Sequence, residues 1–566
     1  MSRTIHHGPP FAPRRRFRSM ALAVAVLATI VAGVSRTFAL DDAKEHAKQD
    51  EHATKEREER EKGRKGHRAD WRMIGHDPAG THSQPSERKL GPLTVRDLAP
   101  KWVATLPSAQ LGDVSATPVV HHGAVYFPDW GGKLWKLDAA TGQVIWSHSI
   151  SEYSEIPGDV SRTSPSFAGG LLFIGENLGG YLIGIDVKTG ARRWITKAHP
   201  DPAAISTGSP VVADDRLYMG FSSREAAYDR MNGLQCCRYR GALVALEAQT
   251  GRIIWQRYGL PDNGGAPDQF SGATIIAPPA VDLEAGLVYT TFGNLYTQPA
   301  SVTACLAAAP FGFDESCLPR GAYFKSLVAL DLRTGKPRWS YRVQGHEPWN
   351  RACGGLPPSV TWCAPESDLV SWDFGGSGPN VFRTRIAGHR RHVVGVGEKS
   401  GVYVLLDAHT GEFLWNTLVG PGSDQGGMEW GTATDGERIY VAIGNQNHVP
   451  YRLVSGESAT GGSWAALDMS TGQILWQTAD PQGALDLAPV AVANGVVYAS
   501  SMARTGNQMY ALDAATGIIL WQFAAGSSVN AGPAVVDGTV YWGSGYNRLG
   551  LGNGNNKFYA FSVGGQ

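Results

Sequence analysis

The sequence predicts an all-β protein folded as an eight-bladed β-propeller, and two repeated patterns support this prediction. The first pattern is an acidic residue, three residues, glycine, three more residues and tryptophan, as in DAATGQVIW. Apolar runs before and after a Thr-Gly pair are typical of two strands joined by a tight turn. The seven copies begin at Asp138, Asp186, Glu247, Asp331, Asp407, Asp468 and Asp513, and they end at Trp146, Trp194, Trp255, Trp339, Trp415, Trp476 and Trp521.

The spacing of the copies indicates one blade per copy. A repeat of this length cannot bury its own apolar face, so we expect neighbours to stack, with each tryptophan docked on the next copy. The shortest interval, 45 residues, suits a four-stranded blade, and the longer intervals leave room for loops. The second pattern, as in SPVVADDRLYMG, precedes most copies and is assigned to the inner strands.

The two ends of the repeat region predict how the ring closes. LAPKWVATL stands before the first copy, and the last copy is followed by two inner-type strands without a tryptophan strand. We therefore expect residues 101–106 to complete the last blade, with Trp102 as the eighth docking tryptophan. Closing the ring in this way removes the exposed sheet edges.

Three domains are predicted. Residues 1–39 are typical of an export signal, with four arginines between positions 14 and 18, an apolar stretch over 20–34 and small residues near its end. An uncleaved anchor is the alternative, although the stretch is short for a membrane span, and the arginines also suit twin-arginine export. Residues 40–70 form a charged linker and residues 71–566 the propeller. We expect a periplasmic or secreted protein with no membrane span after signal removal.

Composition narrows the function further. The 51 basic and 51 acidic side chains cancel, so nothing indicates nucleic-acid binding. There is no CxxCH motif, so no covalently attached haem is encoded. Six cysteines fit an oxidising compartment, and pairing by proximity is the simplest of fifteen connectivities. The proximal pairs are Cys236 with Cys237, Cys305 with Cys317, and Cys353 with Cys363.

Further segments connect the repeats to a known family. They are SRTSP from Ser161, QCCRYRG from Gln235, SGATIIAPPAVD from Ser271, WDFGGSGPN from Trp372 and GPGSDQGGMEWGTATDGERIYVA from Gly420. With the tryptophan pattern, they resemble the quinoprotein alcohol dehydrogenases, and among these the polyvinyl-alcohol dehydrogenases. The resemblance covers residues 71–563 and implies pyrroloquinoline quinone (PQQ) and a metal ion on the propeller axis. The tryptophan pattern by itself also occurs in a non-enzymatic bacterial outer-membrane assembly lipoprotein.

The resemblance implies a metal site in the third and fourth blades. In the family, a threonine and a serine stand 18 and 3 residues before a metal-binding glutamate, and Thr207, Ser222 and Glu225 reproduce both intervals. Thr207 and Ser222 would then bond the quinone. Glu225 would ligate Ca²⁺ together with the amide oxygen of Asn294, as hard cations prefer. The alternative for Glu225 is a solvated loop acid.

Other residues match the quinone cradle of the family. Arg162 and Lys399 take the positions of basic groups that contact the quinone, although either residue could be an ordinary surface charge. Cys236 and Cys237 suggest an adjacent-cysteine disulfide that could lie on the quinone face. Ile276 stands where the family has a tryptophan beneath the ring, which keeps burial but loses aromatic stacking.

The catalytic base departs from the methanol dehydrogenase pattern. There, an HDEWD-like segment ends in the aspartate that acts as the base, whereas this chain has HEPWN over residues 346–350. An amide cannot accept the proton of the substrate hydroxyl. We therefore expect Glu347 to be the base and Asn350 to orient substrate or quinone, with Asp373 as a second candidate. A structural salt bridge is the alternative role for Glu347.

The resemblance implies PQQ-dependent oxidation of secondary or polymeric alcohols. Hydride would pass to quinone C5, with Ca²⁺ as Lewis acid, and electrons would leave to an external cytochrome c or another acceptor. Ala352 lacks the extra acid of lanthanide-using relatives, which favours calcium. The alternative is a catalytically inactive PQQ-like propeller that serves as a binding or scaffold protein. The sequence leaves the alcohol, the acceptor and the oligomeric state open.

Overall fold

Eight four-stranded antiparallel sheets surround a central axis. The structure, a computed structural model, describes residues 70–107, 112–225, 237–266, 269–309, 314–343, 374 and 376–566. The first strand of each blade lies innermost, and the inner strands of most successive blades contact one another around the axis. The predicted eight-bladed propeller is confirmed.

The first half of the ring comprises the closing strand and blades 1 to 4. The closing strand and blades 1 and 2 contain β1 (Leu98–Thr105), β2 (Val119–His121), β3 (Ala124–Pro128), β4 (Lys133–Asp138), β5 (Val144–Ser149), β6 (Ser166–Ala168), β7 (Leu171–Gly175), β8 (Tyr181–Asp186) and β9 (Arg192–Lys197). Blades 3 and 4, with their small ribbons, contain β10 (Ala204–Ile205), β11 (Val211–Ala213), β12 (Arg216–Gly220), β13 (Ser222–Ser223), β14 (Ala242–Glu247), β15 (Ile253–Tyr258), β16 (Ser271–Gly272), β17 (Ala280–Asp282), β18 (Leu287–Phe292), β19 (Leu295–Thr297), β20 (Ser326–Asp331) and β21 (Pro337–Arg342).

The second half of the ring comprises blades 5 to 8. Blades 5 and 6 contain β22 (Asn380–Ile386), β23 (His389–Gly397), β24 (Val402–Asp407), β25 (Phe413–Leu418), β26 (Ala433–Thr434), β27 (Arg438–Ile443), β28 (Tyr451–Arg452), β29 (Ser458–Ala459), β30 (Ser463–Asp468) and β31 (Ile474–Ala479). Blades 7 and 8 contain β32 (Ala491–Ala493), β33 (Val496–Ser500), β34 (Met509–Asp513), β35 (Ile519–Phe523), β36 (Ala534–Val536), β37 (Thr539–Gly543) and β38 (Lys557–Val563).

The ring closes where the sequence predicts. Blade 8 has the order β36-β37-β38-β1, so its outer strand comes from the beginning of the repeat region. In the antiparallel pair of β1 with β38, Trp102 lies opposite Ala560 and Ala104 lies opposite Phe558. Both ends of the propeller are therefore held in one sheet.

Each docking tryptophan bonds to the following blade. Its indole Nε1 donates to a backbone carbonyl there, at distances between 2.8 and 3.4 Å, and Trp102 takes part as predicted. The eight bonds run from Trp102 to Ala139, Trp146 to Val187, Trp194 to Ala248, Trp255 to Leu332, Trp339 to Ala408, Trp415 to Met469, Trp476 to Ala514 and Trp521 to Leu98.

The acid and the glycine of the repeat have separate local roles. In blade 4, Asp331 Oδ1 accepts the N–H groups of Arg333 (3.2 Å) and Thr334 (3.0 Å), which fixes the turn. Gly335 follows with a φ of +64°, and a Cβ atom there would lie 2.6 Å from the ring of Trp255. Glycine is required for the left-handed backbone and because the tryptophan of the preceding blade packs directly over it.

The antiparallel order gives the propeller two faces. Loops between the second and third strands, and connections to the next blade, emerge on what we call the loop face; the hairpin turns emerge on the turn face. Helices α1 (Ile150–Ser154) and α2 (Ala300–Ala308) lie in such connections and loops. The predicted disulfide between Cys305 and Cys317 is confirmed. No helix of the described residues is long and apolar enough to span a membrane.

A segment before the first blade runs around the axis, which the sequence did not predict. This axial segment, residues 71–90, bonds to the inner strands of seven blades. Gln84 Nε2 reaches Val535 O in blade 8 at 3.0 Å. The backbone bonds join Trp71 to Val120, Arg72 to Phe167, Pro78 to Val281, Ala79 to Val381, Thr81 to Thr434, and both His82 and Gln84 to Val492.

Candidate active site

The loop face of blade 3 brings two predicted cradle residues together. Ribbon β10–β13 pairs Ile205 with Ser222 and Ala204 with Ser223. Thr207 follows β10 closely, so it lies near Ser222 although 15 residues separate them. Ser222 is buried and Thr207 is half-buried. The interval between Thr207 and Ser222 therefore corresponds to the first hairpin of blade 3, which lies between the two strands of the ribbon.

Glu225 follows this ribbon and holds the next chain segment by hydrogen bonds. Its carboxylate accepts the N–H of Tyr239 at 2.8 Å and that of Arg238 at 3.0 Å. Burial raises the pKa of Glu225, and these backbone bonds act in the opposite direction. The side chain is half-buried. Glu225 therefore differs from the solvated loop acid of the alternative interpretation.

A short series of backbone hydrogen bonds links Asn294 to the chain segment that Glu225 holds. The carbonyl of Tyr239 accepts the N–H of Gly272 at 2.8 Å, and the N–H of the following residue, Ala273, donates to Asn294 O at 2.7 Å. Asn294 is buried, and its Nδ2 donates to Leu295 O at 2.8 Å. The amide nitrogen is thus turned toward the backbone. The two predicted metal ligands lie in connected loops of adjacent blades.

A small cavity at the axis is lined by Thr207 and by a further predicted residue, Arg162. It measures about 30 Å³, enough for one or two water molecules. The other lining residues come from loops and inner-strand ends around the axis: Ile74, Ser115, Thr117, Ser164, Ser209, Trp430, Pro489 and Asn530. The cavity therefore lies where the first, second, third, sixth, seventh and eighth blades converge on the axial segment.

Arg162 is held between two aromatic rings in this region. Its guanidinium carbon lies 4.6 Å from the ring centre of Trp430 and 5.6 Å from that of Trp130. Cation–π contact of this kind orients the flat guanidinium without neutralising it. Among the described residues, no carboxylate forms an ion pair with Arg162. The arrangement presents the positive charge of the guanidinium at the cavity.

Two polar atoms of the cavity lining have no hydrogen-bond partner in the part of the chain that the structure describes. Thr117 Oγ1 and Asn530 Oδ1 are buried without a hydrogen bond. Neighbouring hydroxyls are occupied: Ser164 Oγ accepts from Thr117 N, and Ser209 Oγ accepts from Ser164 N, both at 2.9 Å. Buried polar atoms normally have partners, so the two exceptions indicate a place for water or a polar ligand.

The remaining cradle candidates occupy different surroundings. Ile276 is half-buried in the connection that leads from blade 3 into blade 4. Its carbonyl oxygen would lie 2.7 Å from a Cβ atom placed on Gly208. Ile276 therefore adjoins the residue that follows Thr207. Lys399 is buried in the loop of blade 5, where its carbonyl accepts from Ser423 and Gly427. Lys399 does not line the axial cavity.

Carboxylates in the corresponding loops of blades 1 and 2 also accept hydrogen bonds that hold their loops. Asp129 accepts the N–H of Lys133 at 2.9 Å and the indole N–H of Trp135 at 2.8 Å. Glu176 accepts the N–H groups of Gly179 and Tyr181. Each acid follows the second strand of its blade and clasps the loop that leads to the third. Glu225 makes bonds of the same kind, in addition to any bond with a cation.

A family comparison identifies the fold. The PQQ_2 family model, described as outer membrane protein assembly factor BamB, matches residues 99–294 and 460–563, which is more than half of the chain. The chain belongs to this family. The matched ranges include the axial arginine, the metal-site candidates and the blades that close the ring.

Relatives of this family member include named dehydrogenases. Polyvinylalcohol dehydrogenase of Pseudomonas sp is 27% identical over 491 residues, which is 80% of this chain and 70% of that protein. A second polyvinylalcohol dehydrogenase, from Sphingopyxis sp. (strain 113P3), is 27% identical over 66% of this chain and 54% of its own length. The chain thus spans between 54% and 70% of the length of these relatives.

A solved structure supports the same fold. The quinohemoprotein alcohol dehydrogenase from Comamonas testosteroni superposes with a TM-score of 0.65 and 22% identity, covering 88% of this chain and 81% of that chain. The resemblance to quinoprotein alcohol dehydrogenases, with polyvinylalcohol dehydrogenases among the relatives, is confirmed. The relatives are oxidoreductases by name.

Several sequence predictions lie outside the described residues. They concern the export signal, nearly all of the charged linker, Cys236, the second loop pair Cys353 and Cys363, the candidate bases Glu347 and Asp373, and the orienting residue Asn350. Cys237 itself is buried and disulfide-bonded. The roles of Glu347 and Asn350 stay predictions.

Trp430 is one of the residues of the axial cavity that sequence analysis missed. It stands in the MEWG part of the long segment from Gly420, outside the tryptophan repeat. A tryptophan that breaks the repeat and sits in a glycine-rich loop was the available signal. Its ring supplies an aromatic face at the cavity, which the residue at position 276 does not.

Proposed function

We propose that this protein is a PQQ-dependent alcohol dehydrogenase that acts on secondary or polymeric alcohols. The observation that supports this most directly is Arg162, held between two indoles with no ion pair in the described region, at an axial cavity with two unpartnered polar atoms. A planar cofactor with carboxylate and carbonyl oxygens needs such a cation and such hydrogen-bonding groups.

The charged, polar and aromatic groups at the cavity suit the proposed cofactor, but the cavity must widen before the cofactor can bind. Charge and hydrogen-bonding capacity suit the polar edge of an anionic quinone, and the Trp430 ring suits its flat face. The cavity of about 30 Å³ is too small for three fused rings. The lining side chains must therefore move apart when the quinone binds.

The residues of blades 3 and 4 suit a calcium ion beside that cofactor. Glu225 would contribute carboxylate oxygen and Asn294 amide oxygen, the ligand types that Ca²⁺ prefers. Both side chains are already oriented by backbone bonds, which lowers the entropy cost of binding. The carboxylate of Glu225 can accept further contacts, since ionised carboxylates offer about four lone-pair positions.

In the proposed reaction, PQQ would supply the two-electron acceptor and Ca²⁺ a Lewis acid. Arg162 would neutralise cofactor oxygens, and Thr207 and Ser222 would orient the cofactor by hydroxyl bonds. Glu347 would take the proton from the substrate hydroxyl, with Asn350 orienting the substrate. We propose further that an external cytochrome c accepts the electrons, and that the protein works in the periplasm.

A second candidate function is a binding propeller without catalysis. Two observations favour it: the narrow cavity, and the use of the Glu225 carboxylate as a loop clasp like that of Asp129. In this case the loop face would serve as a docking surface.

One reconstitution separates the two candidates. Purified chain is incubated with PQQ and Ca²⁺, and reduction of an artificial dye is followed with secondary alcohols and with polyvinyl alcohol. We expect alcohol-dependent reduction that disappears without PQQ or with a Ca²⁺ chelator. If PQQ binds but no alcohol-dependent reduction follows, the protein is a binding propeller without catalysis. If PQQ does not bind at micromolar concentration, the proposed enzymatic function is excluded.

A further inference from the structure

A second group of metal-binding side chains lies away from the loop face. Asp70, His121 and His122 converge where the axial segment begins, beside the hairpin between the first two strands of blade 1. Hairpins of this kind emerge on the turn face, whereas Glu225 and Asn294 follow second strands and belong to the loop face. The group is therefore separate from the candidate active site.

Backbone pairing fixes the relative positions of the three residues. Trp71 and Val120 bond to each other in both directions, at 2.9 and 2.8 Å, as an antiparallel bridge. In an antiparallel pair the preceding residue of one strand lies opposite the following residue of the other, so Asp70 faces His121. Trp71 is fully buried, which anchors the bridge.

The turn then adds the second imidazole. His122 has a φ of +49° and begins the turn to the next strand, followed by Gly123 with a φ of +72°. This left-handed residue brings its ring back beside its neighbour, and the ring centres of His121 and His122 lie 4.0 Å apart. Adjacent residues in a regular strand would instead point to opposite faces.

The ligand atoms are close enough to share one ion. His121 Nδ1 lies 2.6 Å from Asp70 Oδ2, and one ligand atom from each of the three residues lies within 4.8 Å of the others. A tetrahedral ion with bonds of about 2.1 Å separates its ligands by about 3.4 Å, so small side-chain rotations complete the geometry. Asp70 and His121 are largely buried and His122 is exposed, which leaves an approach from solvent.

We propose that Asp70, His121 and His122 form a site for a divalent transition-metal ion, with Zn²⁺ as the reference ion. Two imidazoles and one carboxylate suit Zn²⁺ and its neighbours, and three protein ligands leave a fourth position for water. Ca²⁺ is disfavoured because it prefers oxygen ligands. The ion would fasten the start of the axial segment to blade 1, and through that segment stabilise the ring.

The test uses purified chain without a polyhistidine tag and without PQQ, so that its outcome is independent of the proposed enzymatic activity. Zn²⁺ binding is measured by isothermal titration and the unfolding temperature is measured with and without Zn²⁺. Co²⁺ replaces Zn²⁺ for visible absorption, which reports a tetrahedral site. We expect one equivalent of Zn²⁺ that requires all three residues, and a higher unfolding temperature in its presence.

Two substitutions remove single ligands. His122→Asn keeps a residue that tolerates positive φ, and Asp70→Asn keeps the shape of the side chain. Loss of groups that merely orient a ligand already weakens metal binding by about 10- to 100-fold, so each variant should lose at least that much affinity for this equivalent. The matched control is His389→Ala, an exposed histidine in the corresponding hairpin of blade 5.

Two results would overturn the proposal. One is the absence of any Zn²⁺ equivalent that depends on these residues. The other is unchanged affinity in either Asp70→Asn or His122→Asn when both variants have normal circular dichroism. In that case the cluster is a hydrogen-bonded contact between Asp70 and His121, and the Co²⁺ spectrum of the wild-type chain would lack the tetrahedral absorption bands.

Discussion

The indole Nε1 of Trp521 donates to the carbonyl of Leu98 at 2.8 Å, across a sequence separation of 423 residues. Leu98 begins the strand that closes blade 8, so this bond joins the last tryptophan of the repeat to the first strand of the propeller. An indole-to-carbonyl bond of the same type links each of the seven remaining pairs of adjacent blades. Eight equivalent indole-to-carbonyl bonds therefore stabilise the ring, and seven of the eight tryptophans also pack over a glycine of the following blade, the exception being Trp521.

Substitution of the repeat glycine should reveal the contribution of tryptophan docking. Gly335→Ala places a methyl group 2.6 Å from the ring of Trp255 at a φ of +64°. Gly388→Ala, with a φ of +82° and no heavy atom within 4 Å, introduces only backbone strain. We expect free energies of unfolding to fall by about 2–5 kcal/mol for Gly335→Ala and about 1–2 kcal/mol for Gly388→Ala. Equal losses in urea unfolding would contradict docking against Gly335.

The sequence predicted the ring because its determinants are local. Acid, glycine and tryptophan within nine residues specify the turn and the docking contact, so counting copies counts blades. The axial segment escaped prediction because most of its bonds use backbone groups, which no residue type marks. The carbonyl of Pro78, for example, accepts the N–H of Val281 in blade 4.

The candidate site was predictable only in part. Arg162 and Thr207 meet at the axis because each precedes an inner strand, and that position is readable from SRTSP and STGSP. Lys399 lies elsewhere because its loop is held to the connection between blades 5 and 6, by bonds from Ser423 and Gly427. Intervals along the chain indicate which blade carries a residue, whereas the direction of the loop depends on long-range backbone bonds.

Glu225 should combine a structural and a metal-binding role. Glu225→Ala leaves the buried N–H of Tyr239 without an acceptor, so we expect a loss of about 1–3 kcal/mol in the free energy of unfolding. Glu225→Gln keeps an acceptor oxygen and should lose less. Both variants should lose the rise in unfolding temperature that Ca²⁺ produces in the wild-type chain, measured by calorimetry.

The control for this prediction is another clasp acid. Asp129→Asn disturbs bonds to Lys133 and Trp135 in blade 1 and should lower stability while leaving the response to Ca²⁺ intact. If Glu225→Gln still responds to Ca²⁺ as the wild-type chain does, Glu225 is a loop clasp alone.

Stability should fall between weakly acidic and neutral pH because of a buried acid pair in blade 2. Burial, followed by the charge of Asp159, raises the pKa of Glu176 to about 7. A carboxyl whose folded pKa exceeds its unfolded value favours folding in its protonated form. Its contribution is complete below about pH 4.5 and is lost as pH rises to about 7, amounting to at most about 3 kcal/mol.

Asp159→Asn tests the origin of this pH dependence. Removing the neighbouring charge lets Glu176 ionise more readily, so the variant should lose less stability than the wild-type chain between pH 5 and pH 8. We expect a relative gain of about 1–2 kcal/mol at pH 8 in urea unfolding. Asp138→Asn, at an exposed turn where hydrogen bonds lower the pKa, should leave the slope over this range unchanged. Parallel pH profiles for Asp159→Asn and the wild-type chain would refute the coupling.

Removal of the axial cation should weaken quinone binding without unfolding the ring. In the proposed complex, Arg162→Ala would leave the cofactor carboxylates without a guanidinium partner, and a hydrogen bond to a charged group contributes about 1.5–3 kcal/mol. The dissociation constant for PQQ, measured by fluorescence titration, should therefore rise about 10- to 150-fold. Trp430→Leu, which keeps an apolar side chain but removes the aromatic face 4.6 Å from Arg162, should cause a smaller rise.

The control variant is Arg383→Ala, at an exposed ion pair with Glu284 on the turn face, and it should bind PQQ like the wild-type chain. Equal affinities for Arg162→Ala and Arg383→Ala would place the quinone away from the axial cavity.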